Sequence, residues 1–167
     1  MNNSILKFGI GAGVLTIVYT LIFYSIDKTL MFSPWVTWSS FVIYIAAMLK
    51  ATLNTRAKSE GFFTFREGLR PAFGVYVVAS VTYFIFNYIL YNYINPELPE
   101  IQREIMVKQA ADIAEKLGRP ELREQMENIK AEDLRVSLRN SALGFMWSLM
   151  GGFVLSAIIA FATKRDR

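Results

Sequence analysis

The feature that most constrains this chain is a set of long runs that contain no charged side chain. Three of them, residues 8–26, 71–94 and 140–163, are apolar almost throughout. A run near residues 31–51 is weaker, since it includes Ser33, Pro34 and several hydroxyls, and Lys50 near its end would have to snorkel for the helix to continue. About 20 apolar residues suffice for a helix to cross the hydrocarbon core of a bilayer. The runs show no polar face of the kind a soluble helix presents. They predict an all-α integral membrane protein with four transmembrane helices, which form a single membrane domain over residues 1–167.

The connection between spans two and three predicts a short interfacial helix. Thr64 and Glu67 have the spacing of a capping box, which marks a helix start. Apolar and charged residues alternate after it, as in a helix lying among lipid headgroups. Pro71 would then kink the chain into span three. The segment is interpreted either as an anchor for span three or as an interfacial lid or lipid sensor.

The polar insert of residues 95–139, between spans three and four, predicts a helical hairpin. Apolar residues recur at helical spacing in both of its halves. Gly118 suits a helix C-terminus and Pro120 a first helical position. A hairpin this short has little core of its own. It either packs on its own protein as a solvated hairpin or provides a surface for a homo-oligomer or another membrane protein.

The distribution of charge predicts the orientation in the membrane. The N-terminus, the 50–70 connection and the C-terminal tail carry nine Lys and Arg against three acids, and the opposite side carries nine against eleven. Short basic segments favour the cytoplasm. The insert is then periplasmic, and Trp35, Trp38 and Trp147 fall at the outer boundary, as in an aromatic belt. The modest net charge of +4 does not indicate nucleic-acid binding.

The composition excludes several classes of chemistry. The chain has no Cys and no His, which removes disulfides, thiol catalysis and every mechanism that uses an imidazole. No acidic or basic residue lies inside a span core, where proton-coupled carriers usually place them. We therefore expect no enzymatic activity, no cofactor and no metal site.

A row of small residues on span four indicates close helix packing. In lipid, helices associate through backbone proximity rather than a hydrophobic drive. Span one carries Gly9 and Gly13 in a GxxxG pattern. We therefore expect spans one and four to touch through these rows, with a homodimer seam as the competing use. The row on span four consists of Gly144, Ser148, Gly152, Ser156 and Ala160.

Span three carries a line of polar side chains. Tyr83, Asn87 and Tyr91 are each four residues apart and so share one helix face. Such a line makes interhelical hydrogen bonds near an interface or contacts a polar ligand or headgroup. The second interpretation predicts a water-accessible cavity beside span three.

The stretch TFREGLRPAFGVYVVASVTYFIFNYILYNYINPE resembles the DUF4199 proteins of Bacteroidota. The similar features are Phe65–Arg66–Glu67 before span three, the aromatic-rich span, the exit at Tyr93–Ile94–Asn95–Pro96–Glu97, and the polar insert. The resemblance covers essentially the whole chain and implies a small, four-span protein of the inner membrane. It implies no activity for any residue.

Two functions follow as expectations. The first is a non-enzymatic scaffold or accessory subunit that works through helix packing and its helical insert. The alternative is a small transporter or channel that uses the polar line on span three.

Overall fold

The computed structural model of the protein describes residues 3–59, 62–129, 134 and 138–165. The predicted continuation of the insert into span four falls on residues 130–137, nearly all of which lie outside this described part. The helices are α1 (Asn3–Ile26), α2 (Pro34–Ala57), α3 (Phe65–Ile89), α4 (Leu98–Leu117), α5 (Glu121–Glu127) and α6 (Leu138–Thr163).

Four of these helices are long and apolar enough to cross a membrane: α1, α2, α3 with its continuation to Ile94, and α6. This confirms the all-helical, four-span prediction. A short 3₁₀ turn, Leu30–Phe32, joins α1 to α2, and a π-helical turn, Leu90–Ile94, extends α3. Lys50 does not end α2, which continues for another two turns to Ala57.

The start of α3 differs from the prediction. The Thr64 hydroxyl accepts from the backbone N–H of Glu67, and the Glu67 carboxylate accepts from that of Thr64 at 2.8 Å, which completes the capping box. The helix then runs through Pro71 without interruption, so the separate interfacial helix is instead the first two turns of α3. Pro71 removes a single intrahelical bond near the helix start, and spanning helices tolerate such a loss.

Helix α3 is the centre of the bundle, packed along α1, α2 and α6. A Cβ atom on Gly9 of α1 would lie 2.6 Å from the Cβ of Val78, and one on Gly13 would lie 2.6 Å from the Cβ of Thr82. Both glycines therefore bring α1 against α3. Helices α1 and α6 have no comparable contact among the described residues. The expected pairing of spans one and four was wrong, because the close-packed small residues of both spans lie against α3.

The row on α6 meets α3 at two places. A Cβ on Gly152 would lie 2.0 Å from the ring of Tyr76, so only glycine leaves room for this ring. Further along, Ala160 lies against Gly68. Ser156, between them, is fully buried and donates to the backbone oxygen of Gly152 at 2.6 Å.

The bundle is tightly packed at the end that holds Asn3, Ala57, Phe65 and Thr163, and we call this end the closed half. Its residues Met48, Ala51, Thr52, Ala72 and Ala160 are completely buried. A two-way backbone pair between Phe63 and Arg165 ties the segment before α3 to the end of α6. The two segments therefore lie at the same end of the bundle.

The described part of the insert lies at the opposite end, which we call the open half. Gly118 ends α4 with a positive φ of 64°, which favours glycine, and the chain turns back so that α5 contacts α4. Arg103 of α4 donates to the backbone oxygens of Glu127, at 3.0 Å, and Ile129. Leu98, at the start of α4, packs with Leu90 and Met31 in a small apolar cluster that fixes α4 to the end of the bundle.

Candidate functional site

A cavity of about 700 Å³ lies between α1, α2, α3 and α6 in the open half. Helix α3, with its π-helical extension, supplies the largest share of its polar wall. Its five polar side chains, the last of them in the π-helical extension, recur at intervals of three or four residues and so share one face: Tyr76, Ser80, Tyr83, Asn87 and Tyr91.

The predicted polar line therefore faces the cavity in full, and its members differ in their hydrogen bonding. The Tyr83 hydroxyl lies 3.2 Å from the hydroxyl of Thr20 on α1, so it also bridges two helices. Tyr91 donates to the side-chain oxygen of Gln102 on α4 at 3.3 Å. The Asn87 amide borders the cavity with two donors and an acceptor and has no hydrogen bond to any described residue.

Tyr76 forms the floor of the cavity. Its hydroxyl donates to the backbone oxygen of Ser148 at 2.9 Å and lies 2.7 Å from the Ser148 hydroxyl. The same ring fills the space that Gly152 leaves open. Two members of the small row on α6 therefore hold one aromatic ring of α3, and below this ring the bundle is closed.

The remaining walls come from α1, α2 and α6. Helix α1 contributes Thr16 and Thr20, while α2 contributes Thr37, Ser40 and Phe41, among others. Helix α6 contributes Phe145, Ser148 and Gly144. A Cβ on Gly144 would meet no atom within 4 Å, so this glycine borders open space instead of packing against a helix.

The insert contributes two residues to the lining. Gln102 of α4 and Leu134 both border the cavity. Because Leu98 fixes the first turn of α4 to the bundle, Gln102 is held beside Tyr91. The insert thus covers part of the cavity at the end of the open half.

The cavity lining combines hydroxyls, amides and aromatic rings. None of the described residues that line it carries a charge. Nor do the described residues include a group of three or more acidic side chains that could hold a metal ion. The arrangement can donate hydrogen bonds to, and accept them from, an uncharged polar group, and its rings can contact apolar carbon.

Sequence reasoning missed part of this site. Thr16 and Thr20 are four apart on α1, and Tyr76 and Ser80 continue the line on α3 by the same step. That spacing was a usable signal. Gln102 and Gly144 border the cavity only because of how the chain folds in space. No local sequence pattern predicts that they line it.

The fold and the cavity define a multi-pass membrane protein with four spanning helices and a neutral polar cavity between them. The family described as "Protein of unknown function (DUF4199)" matches residues 7–165, and the chain belongs to this family. No curated protein and no solved structure matches the chain.

Proposed function

We propose that this protein is a non-enzymatic membrane protein that binds a small molecule with an uncharged polar group in the interhelical cavity. The single observation that carries the proposal is the polar face of α3, which borders a space of about 700 Å³ and leaves the Asn87 amide without a described partner. Asn87 is half-buried, and an amide that borders a cavity without a described partner can bind a polar ligand or an ordered water.

The size and composition of the cavity support this function. Small-molecule sites are commonly about 300–1,000 Å³, mostly apolar, with a few convergent polar groups. Here the polar groups converge from several helices: Thr20, Ser40, Asn87 and Ser148. The expectation of a cavity beside span three belonged to the transporter hypothesis, which therefore has more support than a purely structural role.

The closed half argues for binding rather than free conduction. The lining ends at Tyr76, and beyond this ring Ala72 and Ala160 are completely buried. A channel would need a path through these contacts. We therefore propose a binding protein of the carrier or receptor type, in which any transfer across the membrane requires helix movement.

The proposed location is the inner membrane, with both termini cytoplasmic and the insert periplasmic. The charge distribution supports this orientation, and the pairing of Phe63 with Arg165 supports a shared side for the 58–64 connection and the C-terminal tail. A C-terminal green fluorescent protein fusion should fluoresce, and a C-terminal alkaline phosphatase fusion should be inactive. The reverse pair of results would invert the orientation.

A scaffold or accessory role remains a second candidate, and one observation favours it. Ile113 and Leu117, four residues apart on α4, are both exposed. An exposed apolar pair on a polar insert suits contact with a second copy or a membrane-protein partner. Replacing both by Gln should abolish a crosslinked complex if this role holds. An unchanged crosslinking pattern would count against it.

The binding function is tested by two glycines on α6. A Cβ at either Gly144 or Gly151 would meet nothing within 4 Å, but only Gly144 lines the cavity. Gly144→Leu should fill the cavity, whereas Gly151→Leu serves as the matched control. Each protein is purified with its surrounding lipid in polymer nanodiscs, and the bound small molecules are extracted and compared by mass spectrometry.

The expected result is a compound that is enriched with the wild type and with Gly151→Leu and is depleted with Gly144→Leu. The proposal fails if all three proteins carry the same compounds in the same amounts, because the cavity would then hold nothing specific.

A further inference from the structure

We infer that the ligand of this cavity is an uncharged lipid with a small hydroxyl- or carbonyl-bearing head, and that it enters from the bilayer between α2 and α6. This inference rests on the proposed binding function and names the class of ligand and its route.

The route follows from the side of the cavity that is least covered. Both α2 and α6 pack extensively on α3, but they contact each other over a much shorter length. Along this gap, the lining residues Thr37 and Phe41 of α2 and Ser148 of α6 are exposed. The same residues therefore face the cavity and the surroundings of the bundle, as the edges of a lateral opening do.

The exposed tryptophans place this opening at the level of the membrane interface. Trp35 and Trp38 lie on α2 and Trp147 lies on α6, and all three are strongly exposed. Tryptophan concentrates where the headgroup region meets the hydrocarbon core. Thr37 lies between the first two on α2, and Ser148 follows the third on α6. A lipid at this depth would have its head beside the cavity and its chains in the bilayer.

Because the described lining carries no charge, we expect the lipid ligand to have an uncharged head. A phosphate or ammonium group that left water for this cavity would meet no described counter-charge, and burying an unpaired charge is costly. A hydroxyl or carbonyl would instead find the Asn87 amide and the hydroxyls of Ser40 and Ser80. The rings of Phe84 and Phe145, whose centroids are 5.5 Å apart across α3 and α6, offer an apolar wall to the start of a chain.

The test uses a cysteine as a reporter inside the cavity. Because the chain has no native Cys, Ser80→Cys introduces one thiol, with little change in size, into the polar wall. The variant is placed in phosphatidylcholine nanodiscs, and its rate of modification by N-ethylmaleimide is measured. Ser40→Cys, which borders the same cavity from α2, replaces it if the first variant does not fold.

Three additives that share a glycerol unit are compared: dioleoylglycerol, dioleoyl phosphatidylglycerol and free glycerol. Dioleoylglycerol should slow the modification at least about threefold, as for a ligand present at twice its Kd. The charged lipid and free glycerol should leave the rate unchanged. Protection by free glycerol, or equal protection by the two lipids, would overturn the inference.

A further pair of variants separates this failure from failure of the binding function. Adding Gly144→Leu to the reporter should slow modification, and adding Gly151→Leu should not. If Gly144→Leu has no effect on the modification rate, the reagent does not reach Ser80→Cys through the cavity, and this result contradicts the binding function itself. If Gly144→Leu slows the reaction but dioleoylglycerol does not, only the lipid inference is lost.

Discussion

The two halves of the bundle are built from the same four helices, but the helices are closely packed in one half and surround a cavity in the other. In the closed half, Gly9, Gly68 and Ala160 allow neighbouring backbones to approach closely. In the open half, α3 presents Tyr83 and Asn87 instead, and the helices surround a cavity. Because lipid provides no hydrophobic drive between helices, the size of the side chains on α3 decides where the bundle closes.

Helix α6 shows the change within a single row of small residues. Gly152 and Ala160 are close-packed, but Gly144 borders open space. The same residue type, two turns apart, therefore closes the bundle at one level and leaves room for a ligand at another. The difference lies in the neighbouring helix rather than in the row.

The largest expected effect comes from replacing Gly152 by Leu. Any Cβ would overlap the Tyr76 ring, which is held by its hydrogen bonds to Ser148 and cannot move aside cheaply. We expect a loss of about 3 kcal/mol or more in the free energy of unfolding. Gly151→Leu is the control, since its new side chain would point into open space. Thermal unfolding in mild detergent measures both, and equal melting temperatures would show that Tyr76 does not fill this space.

A smaller effect is expected on α1. Leu at Gly9 would overlap the Cβ of Val78, whereas Leu at Gly11 would meet nothing within 4 Å. We expect Gly9→Leu to cost about 2 kcal/mol and Gly11→Leu to cost little, because overpacking in a tight contact typically costs 1–3 kcal/mol. The same thermal measurement compares them. If Gly11→Leu proved the more harmful, α1 would pack through its other face.

At the boundary between the halves, Tyr76→Phe should cost about 1 kcal/mol, since the ring remains but its hydrogen bonds to Ser148 are lost. Tyr93→Phe is a matched control, because Tyr93 is largely exposed. Denaturation in detergent mixtures can resolve such a difference. An equal cost for both changes would mean that the Tyr76 hydroxyl does not stabilise the floor of the cavity.

In the open half, Asn87→Leu should change stability by less than about 0.5 kcal/mol, because the amide has no hydrogen bond to a described residue that could be lost. It should nevertheless weaken the protection of Ser80→Cys by dioleoylglycerol. A large loss of stability would indicate that Asn87 is structural, and the cavity would then lack its available polar group.

The smallest effect is expected at Asp27, between α1 and the 3₁₀ turn. The backbone N–H of Thr29 and its hydroxyl donate to this carboxylate and lower its pKa below 3.8. The ionised carboxylate therefore stabilises the fold at pH values above its unfolded pKa, and this contribution disappears as the pH falls through the lower folded pKa. The melting temperature of the wild type should approach that of Asp27→Asn as the pH is lowered from about 4. Two curves that stay parallel over this range would exclude the linkage.

The sequence predicts the spans well because a bilayer demands long uncharged runs, and these are visible in any reading of the chain. The capping box at Thr64 and the C-terminal cap at Gly118 are local signals. The first correctly predicted the start of α3, and the second correctly predicted the end of α4. The separate interfacial helix expected before Pro71 was not found, since a proline this close to a helix start removes only one hydrogen bond and α3 runs through it.

The partners of the small residues could not be read from the sequence. A GxxxG pattern identifies a helix face but does not say which helix covers it. Span three carries Gly68, Ala72 and Ala79 among large aromatic residues, so its own small face was overlooked. The polar line was visible as a period of four, whereas the cavity required the convergence of several helices and of Gln102 from the insert.

Two buried serines, one in each half, show whether one half of the bundle is accessible and the other is sealed. Ser80 borders the cavity in the open half, and Ser156 is packed within the closed half. Each is replaced by Cys in the otherwise cysteine-free chain, and the rate of reaction with N-ethylmaleimide is measured in the same nanodiscs. We expect Ser80→Cys to react about tenfold faster or more than Ser156→Cys, since thiol modification depends on access. Equal rates, or faster reaction of Ser156→Cys, would contradict it.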